Sequence, residues 1–380
     1  MRRGPHVLVA RQDSAGDVLL AGPAVRAVAA GAGRVTLLCG PRGREAAALL
    51  PGVDEVLVRH AAWIDATPAP VTRASGEALV DALAGRGVDQ ALVLTSFHQS
   101  PLPLALLLRM AGVPMIAAIS VDYPGSLLDV RHLVDDDLHE VERALSLAAS
   151  LGYRLPEDDD GRLAVRRPRA AEPSPGGGEN GYVVVHPGVS APARAWAPDR
   201  HAALVDALVA AGRRVVVTGG ETERALTALV AGPTAPEGSG RGGPGDPGGV
   251  SRLVGAQRGA PVDRARPVTD LGGRLDLAGL AEVLAGADAL VVGNTGPAHL
   301  AAAVDTPVVS LFAPVVPAVR WRPWKVPHVL LGDQRAACAG TRARTCPVPG
   351  HPCLDGVPVA EVVAAVERLA PARAPAEVVA

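Results

Sequence analysis

The stretch Val291-Val292-Gly293-Asn294-Thr295-Gly296-Pro297-Ala298-His299-Leu300-Ala301-Ala302-Ala303 decides the fold. The apolar run 289–292 ends in a small polar turn, an alanine-rich helical segment follows, and a second apolar run, 308–312, comes after it. Strand, tight turn, helix, strand is the unit from which parallel sheets are built. Such a turn aims backbone N–H groups and the positive end of a helix at whatever lies above the sheet, which suits a phosphate or diphosphate. It also sets His299 on the first helical turn beside that position. Taken alone, the segment reads equally well as an ordinary strand-to-helix turn with a structurally used histidine.

Working outward, the chain says the same thing twice. The first half opens with a strand at 6–10, a polar loop at 11–16, a helix at 17–30 and a strand at 35–39. The second half opens with a strand at 182–185, a polar loop at 186–197, a helix at 199–211 and a strand at 214–218. Each second strand runs into a glycine-containing turn (Gly40 and Gly43; Gly219 and Gly220) and a further helix, at 45–50 and 221–230. Continuous apolar strands alternating with helices indicate parallel sheets covered on both faces. The expected class is α/β, with two Rossmann-like domains facing each other across a cleft. Expected boundaries are 1–167 for the first domain, a Pro/Gly/Glu-rich linker at 168–181, 182–358 for the second domain, and a C-terminal helix at 359–371. The Gly/Pro/Ser-rich stretch 232–267 cannot support a core and is expected to be a disordered insertion. Its formal G-x-G-x-x-G match, Gly238, Gly240 and Gly243, follows no strand and opens no helix, so it is not read as a dinucleotide loop.

Composition narrows the function classes. Hydrophobic residues make up 48% of the 380, yet there are only two Phe, three Tyr and four Trp, so Ala, Val and Leu must build the cores of two domains. The net charge of −2 gives no reason to expect a nucleic-acid partner. Lys325 is the only lysine, which leaves no P-loop. Four cysteines are too few for a disulfide scaffold, no signal-peptide core follows the N-terminus, and the most apolar region, 101–119, holds Arg109 and prolines. A cytoplasmic location is expected. Cys338, Cys346 and Cys353, with His351 nearby, contain no C-x-x-C pair, so a packed loop is expected there and no metal.

Four places could carry chemistry. Asp17 stands at the start of the first helix, above the carboxyl end of the first strand, where open α/β sheets bind ligands. It is either a helix cap or a general base facing the cleft. Ser190 and Arg194 lie just beyond the first strand of the second half, and a guanidinium there fits phosphate oxygens in bidentate fashion. The alternative is a solvated loop anchored by Trp196. Glu221 follows the next strand and is either a helix cap or an acceptor for ribose hydroxyls. Asn294, Thr295, Gly296 and His299 form the turn quoted above. Three loops of one half thus converge on a nucleoside diphosphate pocket.

Gly16-Asp17-Val18-Leu19-Leu20, His186-Pro187-Gly188 with Arg194 and Trp196, and Asn294-Thr295-Gly296-Pro297-Ala298-His299-Leu300, in this order, resemble the ADP-heptose:lipopolysaccharide heptosyltransferases, glycosyltransferase family 9. The resemblance implies a GT-B fold, an inverting glycosyl transfer and no required metal or cofactor beyond the nucleotide-sugar donor, ADP-heptose-like. It implies Asp17 as the base, Ser190 and Arg194 at the phosphates, Glu221 at the ribose, and Asn294, Thr295, Gly296 and His299 at the donor. Arg194 replaces the family's usual lysine, and Asn294 replaces the aspartate of its D-T-G turn. On the acceptor side, Arg11, Arg42, Arg44 and His139 are the candidates. The expected partner is a glycan, glycolipid or small-molecule acceptor, with weak peripheral membrane association through it. The alternatives are a GT-B sugar-nucleotide enzyme of the 2-epimerase type and a non-catalytic sugar-nucleotide-binding protein. An NAD(P)-dependent oxidoreductase is disfavoured, because the first strand–turn lacks the three glycines a pyrophosphate needs.

Overall fold

The computed structural model describes residues 4–65, 67–96, 99–167, 181–232 and 267–371. The expected linker and insertion, with Gly238, Gly240 and Gly243, lie outside the described residues apart from their edges. In the first half the strands are β1 His6–Ala10, β2 Arg34–Cys39, β3 Glu55–Val58, β4 Gln90–Val93, β5 Met115–Ile119 and β6 Val130–His132. Its helices are α1 Ala15–Leu20, α2 Gly22–Gly31, α3 Arg44–Leu49, α4 Arg73–Ala84, α5 Leu102–Met110 and α6 Glu140–Ser150. The second half has β7 Tyr182–His186, β8 Arg214–Val217, β9 Val268–Asp270, β10 Ala289–Gly293, β11 Val308–Leu311 and β12 His328–Leu331. Its helices are α7 Pro198–Ala210, α8 Arg224–Ala231, α9 Leu277–Ala285, α10 Gly296–Ala302, α11 Ala318–Trp321, α12 Pro352–Asp355 and α13 Val359–Leu369.

The strand orders are β3-β2-β1-β4-β5-β6 and β12-β11-β10-β7-β8-β9. Read from the other edge, the second is the first repeated, so the duplication legible in the sequence is a duplication of topology. All pairings are parallel. Each sheet therefore has a point where the strand order reverses, between β1 and β4 and between β7 and β10. The crevice beyond the carboxyl ends at such a point is where doubly wound sheets bind ligands.

Alternation along the strands sorts side chains between layers. Leu8 and Ala10 of β1 join an outer core beneath α4 and α5, whereas Val7 and Val9 face inward. Val183 and Val185 of β7 likewise face an outer core with α7 and α13, while Tyr182 and Val184 face inward. The two inward faces, with α1, α2, α6, α9 and α10, share one apolar cluster. Two wholly separate cores were expected; each half instead has its own outer layer and a common inner one.

The helix expected at 17–30 is broken. Ala21 closes α1 and opens α2, with Pro23 in the first turn of the second segment. Proline has no N–H to continue the hydrogen-bond ladder, so it fits only a helix start. The consequence is a short α1, pinned at its start and free to meet the opposite half.

Candidate active site

The carboxyl ends of β1, β4, β7 and β10 open into one cleft of about 640 Å³ between the halves. Its floor is the meeting of two helix starts. A Cβ on Gly16 would stand 3.1 Å from Gly296 Cα and 3.0 Å from His299 Cδ2. A side chain at position 16 would therefore wedge α1 away from α10.

The first-half wall is a set of carboxylates around one cation. Asp17 closes a capping box with Ser14: its Oδ2 accepts from Ser14 Oγ at 2.7 Å and Ser14 N at 3.3 Å, and its own N–H donates to Ser14 Oγ at 3.4 Å. Its Oδ1 accepts from Arg11 Nη2 at 3.0 Å and from Trp321 Nε1, across the cleft, at 3.4 Å. Burial pushes the Asp17 carboxyl up, but the Arg11 charge and the Ser14 hydrogen bonds outweigh it and hold it below the usual carboxylate range. Asp13 pairs with Arg11 Nε at 2.8 Å and accepts from Ser96 at 3.2 Å and from Gln99. For Asp13 burial prevails over Arg11, so its carboxyl is held up.

The second-half wall is cationic. Arg194, Arg342 and Arg344 line it with Ser190, Asn294, Thr295, Gly296 and His299. Arg194 has one weak contact, Nη1 donating to Asn294 O at 3.5 Å, and its Nε is buried without a partner. Burial lowers its pKa; Asp17 opposes that, and Arg344 and Arg342 add to it. Asn294 is 4% exposed and its Nδ2 is a buried donor without a partner. Burial pushes His299 down to about 4 against the pull of Asp17, leaving a neutral imidazole whose Nδ1 is unpartnered. Unmade buried bonds of this kind are costly.

Of the sequence candidates, Asp17, Ser190, Arg194, Asn294, Thr295, Gly296, His299 and Arg42 are brought together around the cleft. Four are not. Arg11 is 3% exposed and engaged by Asp13, Asp17 and Glu140, so it is a hub within the wall and not an acceptor contact. His139 is 1% exposed; it caps α6, its Nε2 meets Arg322 O at 3.0 Å, and its ring stacks on Trp324 at 4.4 Å, so it joins the halves behind the site. Arg44 is exposed at the start of α3, off the cleft lining. Glu221 is exposed and held by Arg224 at 2.8 Å, one helical turn away, outside the cleft. Glu223, not Glu221, turns back to accept from Gly220 N at 2.7 Å.

Sequence reasoning missed Ser96, Gln99, Trp321, Arg342 and Arg344. The first two had a signal: they follow β4, the strand that corresponds to β10 in the duplicated topology. Trp321 ends the short helix α11, and Arg342 and Arg344 lie in an irregular stretch; none of the three follows a central strand directly. Cys338 and Cys353 are buried in the outer core of the second half, with Cys346 packed against it. Among the described residues no group of three or more His, Cys, Asp or Glu side chains is arranged to hold a metal ion.

A family model described as "Glycosyltransferase family 9 (heptosyltransferase)" matches residues 77–234 and 255–351. Lipopolysaccharide heptosyltransferase 3 of Escherichia coli is 29% identical over 199 residues, 52% of this chain and 48% of that protein. The chain thus matches about half the length of this relative. E. coli ADP-heptose LPS heptosyltransferase II superposes with a TM-score of 0.67 at 18% identity, over 96% of this chain and 98% of that one. E. coli heptosyltransferase WaaC, solved with ADP-2-deoxy-2-fluoro heptose, gives 0.65 at 21% identity, over 96% and 100%. These superpositions show a shared two-domain GT-B fold.

Proposed function

The chain belongs to glycosyltransferase family 9, and on that premise we propose that it transfers a heptose-like sugar from a nucleoside diphosphate to an acceptor hydroxyl, with inversion and without a required metal ion. The observation that carries this is the polarity of the cleft: a carboxylate wall with Asp17 faces an arginine wall with Arg194. The donor lies over the second half. Its diphosphate meets Arg194 and Ser190, and Asn294 Nδ2 and His299 Nδ1 are donor-side groups waiting for partners. The acceptor lies over the first half. Its oxygen attacks the anomeric carbon from the face opposite the phosphate, its proton passes to Asp17, and the C–O bond to the diphosphate breaks with the electron pair leaving on phosphate. Fixed cations offset that developing charge, the electrostatic task a divalent ion performs elsewhere. Closure of the halves over both substrates excludes water and suppresses hydrolysis.

The acceptor is a glycan, glycolipid or small-molecule hydroxyl in the cytoplasm, with lipopolysaccharide core the family's own precedent. Exposed Leu106 and Met110 on α5, and Val121 and Tyr123 in the loop after β5, all on the acceptor half, favour weak association with a membrane that holds a lipid acceptor. Among the described residues no helix is long and apolar enough to cross a membrane.

Calorimetric titration with ADP, GDP and UDP, with and without EDTA, followed by product analysis with the matching nucleotide sugar, tests the reading. One nucleoside diphosphate should bind regardless of EDTA. Asp17→Asn should lower turnover about 10²–10⁴-fold with donor affinity little changed, because a positioned base contributes that much. Near-normal turnover in Asp17→Asn would remove Asp17 as the base. Absence of nucleoside diphosphate binding would sink the transferase reading itself.

A further inference from the structure

The segment between β12 and α12, residues 332–351, holds the cysteine and histidine motif to which the function assigns no task. Its course explains the motif. Ala193, the residue before Arg194, donates its N–H to Arg344 O at 2.9 Å, and its carbonyl meets His351 Nε2 at 3.1 Å. Arg342 N donates to Val315 O at 2.8 Å and Gly340 N to Pro314 O at 2.9 Å. Beneath the loop, Cys338 and Cys353 pack with Ala193, Trp196 and Leu354 in the outer core. The loop is therefore fastened to the turn that carries Arg194 through both main-chain groups of Ala193, and to the segment after β11 through Pro314 and Val315. Arg342 adopts a left-handed φ of 58°, a conformation costly for a residue with a side chain and concentrated at working sites.

The fastening presents Arg342 and Arg344 to the cleft beside Arg194. Among the described residues, Arg194 and Arg344 form no ion pair. The cleft lining carries four arginines (Arg42, Arg194, Arg342, Arg344) against two carboxylates, Asp13 and Asp17. Three of those arginines stand on the donor wall, and both carboxylates stand on the acceptor wall.

We propose that Arg342 and Arg344 complete, with Arg194, a cation triad that binds the donor's diphosphate and offsets its charge as it departs. The proposal rests on the transferase reading and adds to it two binding residues from a loop whose cysteines and His351 serve to hold it in place. The triad also accounts for Arg194 in this chain: a planar fork, with Arg342 and Arg344 alongside, can engage a diphosphate at several oxygens at once.

The test is titration of wild type, Arg342→Gly, Arg344→Gln and the double variant with inorganic pyrophosphate and with ADP, GDP and UDP. Glycine relieves the left-handed backbone at 342, so that variant keeps its fold while losing the cation. Each single variant should lose about tenfold or more in affinity for pyrophosphate and for the preferred nucleoside diphosphate, and the double variant more, since each removes a charge-assisted contact. Arg344→Lys should recover part of the loss. Wild-type affinity in both single variants overturns the triad while leaving the transferase reading intact. Unchanged diphosphate affinity with a raised KM for acceptor would assign the arginines to the acceptor and also overturn it. No nucleoside diphosphate binding by the wild type overturns the function, and the triad with it.

Discussion

Asp17 is held in place by several hydrogen bonds: Arg11, Ser14 and Trp321 all donate to it. These bonds orient the carboxylate and also keep it ionised, because each favours the charged form. Its folded pKa lies below the ordinary carboxylate value of 3.8. The acid limb that its protonation imposes on kcat/KM should therefore fall below about pH 4, and activity should stay flat from pH 5 to neutrality. A limb well above pH 5 would mean that a group other than Asp17 takes the proton. Arg11, the charged donor to Asp17, is itself steadied by Glu140, whose Oε2 lies 3.3 Å away. Glu140 is 2% exposed and also faces Arg143 at 3.5 Å and Arg320 at 3.6 Å. Behind Asp17, then, lies a buried network of alternating charge, in which removal of one member strands the others.

At the scale of elements, the decisive contact is between α1 and α10. Both are short, and both begin with a glycine in the first turn at the cleft floor. Their roles differ. A Cβ at Gly296 would meet Gly16 N at 3.5 Å and Cα at 3.9 Å, ordinary contacts, whereas a Cβ at Gly16 would press on backbone at 3.1 Å. Gly296→Ala should be nearly neutral in stability. Gly16→Ala should destabilise by about 1–3 kcal/mol, the usual cost of overpacking, and should lower turnover by displacing the adjacent Asp17. Denaturant titration and steady-state rates of the two variants check this; equal behaviour would mean that the helix starts are not in the close contact described. A second element, α11, reaches from the second half into the first. Arg320 goes to Glu140, Trp321 to Asp17, and the carbonyl of Arg322 to His139. The environment of Asp17 is therefore set partly by the opposite half.

The whole molecule carries an electrostatic consequence of its alanine-, valine- and leucine-built interior. His139, His186, His201 and His299 are buried, and burial pushes each down to about 4. Unfolded, each titrates near the ordinary imidazole value of 6.5. Between those values the unfolded chain binds more protons than the folded one, so stability rises with pH across that window. The contribution is complete above pH 6.5 and is lost as the pH falls towards 4. At about 1.4 kcal/mol per pKa unit, each histidine contributes at most about 3 kcal/mol. The Tm should be level above pH 7 and fall steeply from pH 6.5 to 4, and replacing His186 or His201 by an uncharged residue of similar size should flatten the fall. A Tm independent of pH across that window would mean that these imidazoles are solvated.

The sequence by itself determined the architecture and half of the site. Apolar runs with glycine turns at their ends name the central strands, and because the pattern occurs twice, it names two sheets of one topology. Asp17, Ser190, Arg194 and the 294–299 turn were legible because each directly follows such a strand, and the carboxyl end of a central strand faces the crevice wherever the other half lies. Only the tertiary structure decided the rest. Arg11 and His139 withdrew from the acceptor side because partners 129 and 183 residues away claim them. Glu221 was taken by Arg224 beside it. Trp321 reached Asp17 across 304 residues, and Arg342 and Arg344 reached the cleft by way of hydrogen bonds to segments more than 20 residues distant. A strand announces itself through the period and polarity of its own neighbours; a charge finds its partner only after the two halves have packed, and no local pattern records that choice.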